Sequence, residues 1–276
     1  MQFQPAHWTP AGKFLQFLGP PFNRTRALNE AIRSCTDHIR KYETFAELAP
    51  KLALDRDELE TQGYSPASRS RQFAALIEVL VCELYSVLDG LRYTTFHIYR
   101  KVRGVQSGST SKLFSKASER SYGREFPEPL LALLDAANSS WFLCLRRLRT
   151  AFTHGGLGSC SLSQDRTVIS YMNPSLGTDD LAHVIPDIVA HLNALATSVF
   201  KLTHDFFEYH YGQLEQIDSD QFCGFYRGRG YMRRAKPEPN IGWDSGVCAS
   251  RVWFDSEPGF RCPLANECAA YHRAGA

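Results

Sequence analysis

The sequence predicts a mainly α fold: a helical bundle with a short β-hairpin and a small cysteine-bearing C-terminal appendage. Three observations carry this. Long stretches repeat apolar residues at the 3.6-residue period of an amphipathic helix rather than at the period of a strand. One short run rich in β-formers, Leu162–Met172, interrupts them. Four of the eight cysteines then fall in the last 54 residues, beyond the helical pattern.

Taken in order, residues 1–23 are rich in Pro and aromatics and read as an extended arm. Asn29–Leu48 places Ala31, Ile32, Cys35, Ile39, Tyr42 and Phe45 at helical spacing, and Pro50 should stop that helix. A longer helix runs over Ser68–Arg103, opened by the polar SRSRQ and carrying Phe73, Leu76, Ile77, Leu80, Leu84, Leu88 and Leu91. Residues 104–127, with their Ser, Lys and Gly, read as a mobile basic loop. A helix over Pro129–Thr153 follows, then the hairpin, turning around Gln164–Asp165. The last long helix, Asp179 to about Glu215, aligns Ile185, Ile188, Val189, Leu192, Leu195, Val199, Leu202 and Phe206. The expected division is an arm (1–23), a bundle (24–217) and an appendage (218–276).

Composition narrows the classes. With 43% apolar residues in 276, the chain can bury one good core and a small addition. A net charge of +2, from 31 basic and 29 acidic residues, is too small for wholesale DNA coating, so nucleic-acid contacts must be local. No apolar run is long enough to span a membrane, and the first residues lack an apolar leader, so a cytoplasmic protein is expected. No P-loop, dinucleotide fingerprint or internal repeat is present.

The densest chemistry lies in Trp141–Gly156, WFLCLRRLRTAFTHGG. Arg149 and His154 form R-x4-H, and Arg147 with His154 forms R-x6-H. A histidine exchanges protons near neutral pH, and an arginine offers a permanently charged planar fork to phosphate. On one helix Arg149 and His154 would lie about 140° apart, whereas Arg147 and His154 would lie about 20° apart and share a face. Trp141, Leu145, Leu148 and Phe152 form the apolar stripe. Unwinding at Gly155–Gly156 would be needed to swing His154 toward Arg149. The bland alternative is that Arg146, Arg147, Arg149 and His154 simply complement the negative end of the helix dipole.

This segment resembles the signature of the HEPN superfamily of helical domains. The resemblance covers roughly the middle half of the chain and implies a metal-independent ribonuclease. Arg149 (or Arg147) would then stabilise the phosphate and His154 would act as acid or base, in a site composed from two protomers. It also implies a homodimer and, for a toxin or phage-defence effector, an antitoxin or other regulatory partner. Thr150 stands where the family often has Asn, His or Asp, and Gly156 where some members carry a tyrosine. Glu78, Glu83 and Asp89 on the second helix are candidates to orient the pair, with Glu83 kept as a catalytic candidate.

The tail carries Cys248, Cys262, Cys268 and His272 as C-x13-C-x5-C-x3-H. Three thiolates and an imidazole make a closed tetrahedral set for structural Zn2+, and the last half resembles a CCCH-type zinc finger. Cys248 is the least certain ligand and Cys223 its substitute; a disulfide pair or free thiols are the alternative. A segment without its own core would draw on the order of 10 kcal/mol of folding free energy from the metal. Before it, QFCGFYRGRGYMRRAKPEPN interleaves Arg227, Arg229, Arg233, Arg234 and Lys236 with Phe222, Phe225, Tyr226 and Tyr231, a pattern suited to single-stranded RNA or to a solvated linker. Cys35, Cys82 and Cys144 read as small buried hydrophobes, and His183, His191, His204 and His210 as ordinary helix histidines. The leading expectation is an RNA-cutting enzyme that needs no metal for catalysis; a non-catalytic RNA- or protein-binding module is the rival.

Overall fold

The computed structural model describes residues 9–49, 68–162, 168–177, 184–256 and 261–274. They form a mainly helical protein with two small antiparallel sheets of three strands each. Its helices are α1 (Pro10–Phe17), α2 (Arg26–Ala46), α3 (Ser68–Tyr99), α4 (Thr110–Ser118), α5 (Glu128–Ala137), α6 (Leu143–His154), α7 (Ile188–Tyr211), α8 (Arg251–Ser256) and α9 (Ala269–Arg273). The first sheet holds β1 (Ser159–Leu162), β2 (Ile169–Met172) and β3 (Val184–Ile185); the second holds β4 (Ser219–Tyr226), β5 (Arg229–Ala235) and β6 (Val247–Cys248). The chain divides into two compact units, Arg26–Phe206 and a smaller one joining Met1–Thr25 to Phe207–Ala276.

In the larger unit α2 lies along α3, and all seven apolar positions expected on α3 are buried. Ile32, Cys35, Leu84 and Leu88 are fully enclosed, and each aliphatic among them gains roughly 1.5–3 kcal/mol from burial. On α7 the inner face is as expected except for Val189, which is exposed, and Ile185, which is buried in β3 instead. Residues 104–127 are not a loop throughout, because they contain α4. Leu113, Phe114 and Ala117 of α4 are buried, and the buried Arg92 of α3 ties the preceding segment down through Thr110 Oγ1 at 3.2 Å and the Ser107 carbonyl.

The motif helix departs from a regular α-helix in its middle. Asn138–Phe142 is a π turn joining α5 to α6. A π turn inserts one residue into the helical register. Phe142 is therefore the buried ring, stacked 3.9 Å from Phe114, and Trp141 is only half-buried. Leu145, Leu148 and Phe152 keep their inward positions.

The expected hairpin is present, with Ser159 opposite Met172 and Leu162 opposite Ile169, and β3 adds a third strand through Tyr171 opposite Ile185. Its turn at Gln164–Asp165, the stop at Pro50, Asp179 and His183 all lie outside the described residues, but the last long helix starts only at Ile188, because Val184–Ile185, expected within it, pairs with β2 as β3.

In the smaller unit the expected arm is partly the helix α1, capped by the Thr9 hydroxyl, which accepts from the Gly12 amide at 3.2 Å. Phe14 is fully buried among Phe22, Phe207 and His210, and Phe17 meets Tyr211 edge-on. The arm thus packs with the C-terminal residues instead of standing apart. Residues 219–235, expected as a linker, are the β4–β5 hairpin. Arg227 and Gly228 at its tip have φ of 50° and 77°, the pair of positive angles of a type I′ turn. Tyr231, Phe254, Ala265 and Tyr271 make a small core of their own beneath the sheet.

Candidate functional site

The best-formed candidate lies at the end of α6. Just over three turns of regular helix follow the π turn and carry Arg146, Arg147, Thr150 and His154 outward while Leu145, Leu148 and Phe152 face the core. Those four outward residues, with Ser175, line one open depression of about 530 Å³. That volume matches a small-ligand or single-nucleotide site, of order 300–1,000 Å³. Arg146, Arg147 and His154 are exposed. The depression brings together two guanidinium groups and one imidazole, in a last turn where the helix's free carbonyls also favour cations.

Arg149 goes elsewhere. Its guanidinium lies 5.3 Å over the ring of Tyr85 on α3, and its charge acts on the Cys82 thiol, which burial otherwise raises. It is a cation–π contact of the bundle rather than a wall of the depression. Helix geometry thus groups His154 with Arg147. No unwinding brings His154 round: it is the last residue of α6, and Gly155 continues in extended conformation.

A buried polar network sets the chain's path beyond the helix. The Glu78 carboxylate accepts from the Tyr171 hydroxyl at 2.5 Å and the Gly158 amide at 2.9 Å. The Asn173 side-chain amide donates to the Gly156 carbonyl at 2.8 Å and to the Tyr171 hydroxyl at 2.9 Å. Asn173 in turn accepts from the Ser175 amide, which starts the 3-10 turn Pro174–Leu176. Glu78 and Asn173 therefore fix the floor on which His154 stands, a positioning role the sequence could not assign to Asn173. Glu83, the carboxylate kept as a catalytic candidate, is engaged on another face: its carboxylate is 2.5 Å from His38 Nδ1 of α2, with both side chains largely buried. Sequence spacing could not place Glu83 against α2, since the pairing spans 45 residues.

The smaller unit carries a separate surface. Phe222 and Phe225 are exposed, with ring centres 4.9 Å apart, and Val252 and Trp253 of α8 are exposed as well. The Arg229 guanidinium lies 5.9 Å from the Trp253 ring and that of Arg227 lies 5.4 Å from Tyr226. Flat rings beside guanidinium groups suit stacked bases and their phosphates. Arg234 and Lys236 are exposed but paired with Asp220 at 3.1 Å and Glu238 at 3.7 Å. Tyr231 and Arg233 do not belong to this surface. Tyr231 stacks on Phe254 at 4.5 Å inside the small core, and Arg233 is 2% exposed, donating to the carbonyls of Gly242 and Ser245. Phe222 and Phe225, two of the interleaved rings, remain on it and are joined by Trp253, which the spacing did not single out.

Of the expected metal ligands, Cys248, Cys262 and Cys268 pack against the small core, while His272 is exposed and edge-on to Tyr271, 6.1 Å between centres. Among the described residues no group of three or more His, Cys, Asp or Glu side chains already stands at metal-holding geometry. No helix among them is long and apolar enough to cross a membrane.

No family model matches the chain, and neither a curated protein nor a solved structure matches it.

Proposed function

We propose that the protein is an endoribonuclease that cleaves RNA without a catalytic metal, using the depression at the end of α6. One observation carries the reading: His154, Arg147 and Arg146 line a single nucleotide-sized hollow. In the reaction the RNA 2′-hydroxyl attacks the adjacent phosphorus, its proton passes to a base, and the 5′-oxygen leaves as it gains a proton. The products are a 2′,3′-cyclic phosphate and a 5′-hydroxyl. His154 moves the proton at the 2′-oxygen or at the leaving oxygen. Arg147, with Arg146 beside it, holds the phosphate oxygens as charge builds on them. One imidazole covers one of the two proton transfers, so pairing of two chains, as the HEPN resemblance implies, would supply the second. An activity of this kind calls for restraint in the cell by an antitoxin-like or other regulatory partner.

The test uses end-labelled single-stranded RNA with the wild-type chain and His154→Ala. Cleavage that leaves cyclic phosphate ends and falls by about 10²-fold or more without the imidazole supports the reading. An unchanged rate in His154→Ala contradicts it.

A second reading has its own support. The exposed Phe222, Phe225, Arg229 and Trp253 surface is suited to hold RNA by itself, and a non-catalytic binding module would need nothing more. RNA bound with no cut by the well-folded wild type would favour it.

A further inference from the structure

We propose that Cys223, Cys248, Cys262 and Cys268 form a four-thiolate zinc site that locks the β4–β5 hairpin to α8 and α9, with His272 outside the ligand set. Adjacent elements of the smaller unit carry the four cysteines, whose side chains would have to close in further to reach metal-holding geometry. Cys223 is the extra residue of a β-bulge: Phe222 pairs with Met232 and Gly224 with Tyr231, leaving Cys223 between them without a partner position. A bulge re-aims the side chain it carries. Cys248 sits in β6 opposite Arg233. Cys262 and Cys268 flank a tight turn closed by the Ala265 amide on the Cys262 carbonyl at 3.0 Å and the Cys268 amide on the Leu264 carbonyl at 2.8 Å. The last three pack on the same core of Tyr231, Phe254, Ala265 and Tyr271.

Electrostatics link all four. The Cys223 thiol senses the charges of Cys248, Cys268 and Cys262; Cys248 senses Cys262 and Cys268; Cys262 senses Cys268. The four sulfurs therefore lie in one neighbourhood.

Two further features suit thiolates. Backbone amides are already aimed at sulfur, those of Ser250 and Arg251 at Cys248 and that of Leu264 at Cys262. The guanidinium of Arg233, enclosed beside them, interacts with Cys223 and Cys268 as well as with Asp244. Four thiolates around Zn2+ carry a net charge of −2, and a buried cation next to them offsets it. All eight cysteines are unbridged. Four soft ligands and no open position describe a structural zinc rather than a catalytic one.

The metal would fasten the bulged strand that carries Phe222 and Phe225 to the helix that carries Trp253. This inference does not depend on ribonuclease activity, because its readout is metal content. The full-length chain, purified under reducing conditions, is assayed for zinc as wild type, Cys223→Ser and His272→Ala. About one zinc per chain in wild type and in His272→Ala, with loss of most of it in Cys223→Ser, is the expected result. Retention in Cys223→Ser with loss in His272→Ala overturns the ligand set. A wild type that binds neither zinc nor added cobalt overturns the site. Should Cys223→Ser fail to fold, cobalt-substituted wild type decides: the intense sulfur-to-cobalt absorption of four thiolates is expected, and a spectrum of three sulfurs and one nitrogen contradicts it.

Discussion

Gly155 approaches Ser175 so closely that a Cβ on it would lie 2.0 Å from the serine hydroxyl oxygen and 2.6 Å from the Ala151 carbonyl. The end of α6 is thereby clamped to the 3-10 turn that completes the depression. Gly155→Ala should destabilise the fold by about 1–3 kcal/mol through overpacking. A Ser175→Gly background should relieve part of that loss. Thermal or denaturant unfolding of the single and double variants measures both effects, and equal losses in the two would contradict the clamp.

The His38–Glu83 pair makes a contrasting prediction. Glu83→Ala removes one partner of a largely buried contact between α2 and α3 and should cost about 1–3 kcal/mol of stability. RNA cleavage per folded molecule should be unchanged. A specific loss of activity with normal stability would return Glu83 to the catalytic group.

His191 gives the fold a pH dependence. Burial holds its imidazole below the ordinary histidine value, with its Nε2 3.6 Å from the Cys144 sulfur. The unfolded chain takes up a proton there near pH 6.5, before the native chain does. Stability contributed by this site is therefore intact above about pH 6.5 and lost as the pH falls from there through the depressed native value. His191→Gln should flatten the fall in melting temperature between pH 7 and pH 5. An identical slope in both proteins would show that other groups set it.

Much of this architecture was legible from the sequence because local periodicity dictates it: the buried face of α3 falls at the expected positions, and those of α2 and α7 do so in large part. The misses share a physical cause, long-range packing that outweighs local composition. Residues 104–127 read as a loop until Arg92 and Phe142 engage α4. Thr9 caps a helix in an otherwise proline-rich segment, and Phe14 finds its partners about two hundred positions away. The π turn moved the buried ring from Trp141 to Phe142, which no regular period anticipates. At the site, the helical angle between Arg147 and His154 was readable, whereas the assignment of Arg149 to Tyr85 and of Glu83 to His38 depends on neighbouring helices. The hairpin at 219–235 does have a local signal, a glycine at the second turn position between β-forming residues.

If the exposed rings hold bases, Phe222→Ala and Phe225→Ala should each weaken single-stranded RNA binding by about 1–3 kcal/mol, with little effect on stability. Fluorescence anisotropy with a short labelled oligonucleotide, at fixed salt, reads the difference. Affinity unchanged in the double variant would remove this surface from the RNA path.

The central claim is that Arg147 and His154, on one face, form the cleaving pair. The most direct measurement is the single-turnover cleavage rate of one labelled RNA by Arg147→Ala, Arg149→Ala and His154→Ala, each shown to be folded. The account predicts losses of roughly 10²–10³-fold for Arg147→Ala and at least 10²-fold for His154→Ala. Arg149→Ala should retain most of the rate and lose stability instead, through its contact with Tyr85. Full activity in Arg147→Ala with collapse in Arg149→Ala would contradict it.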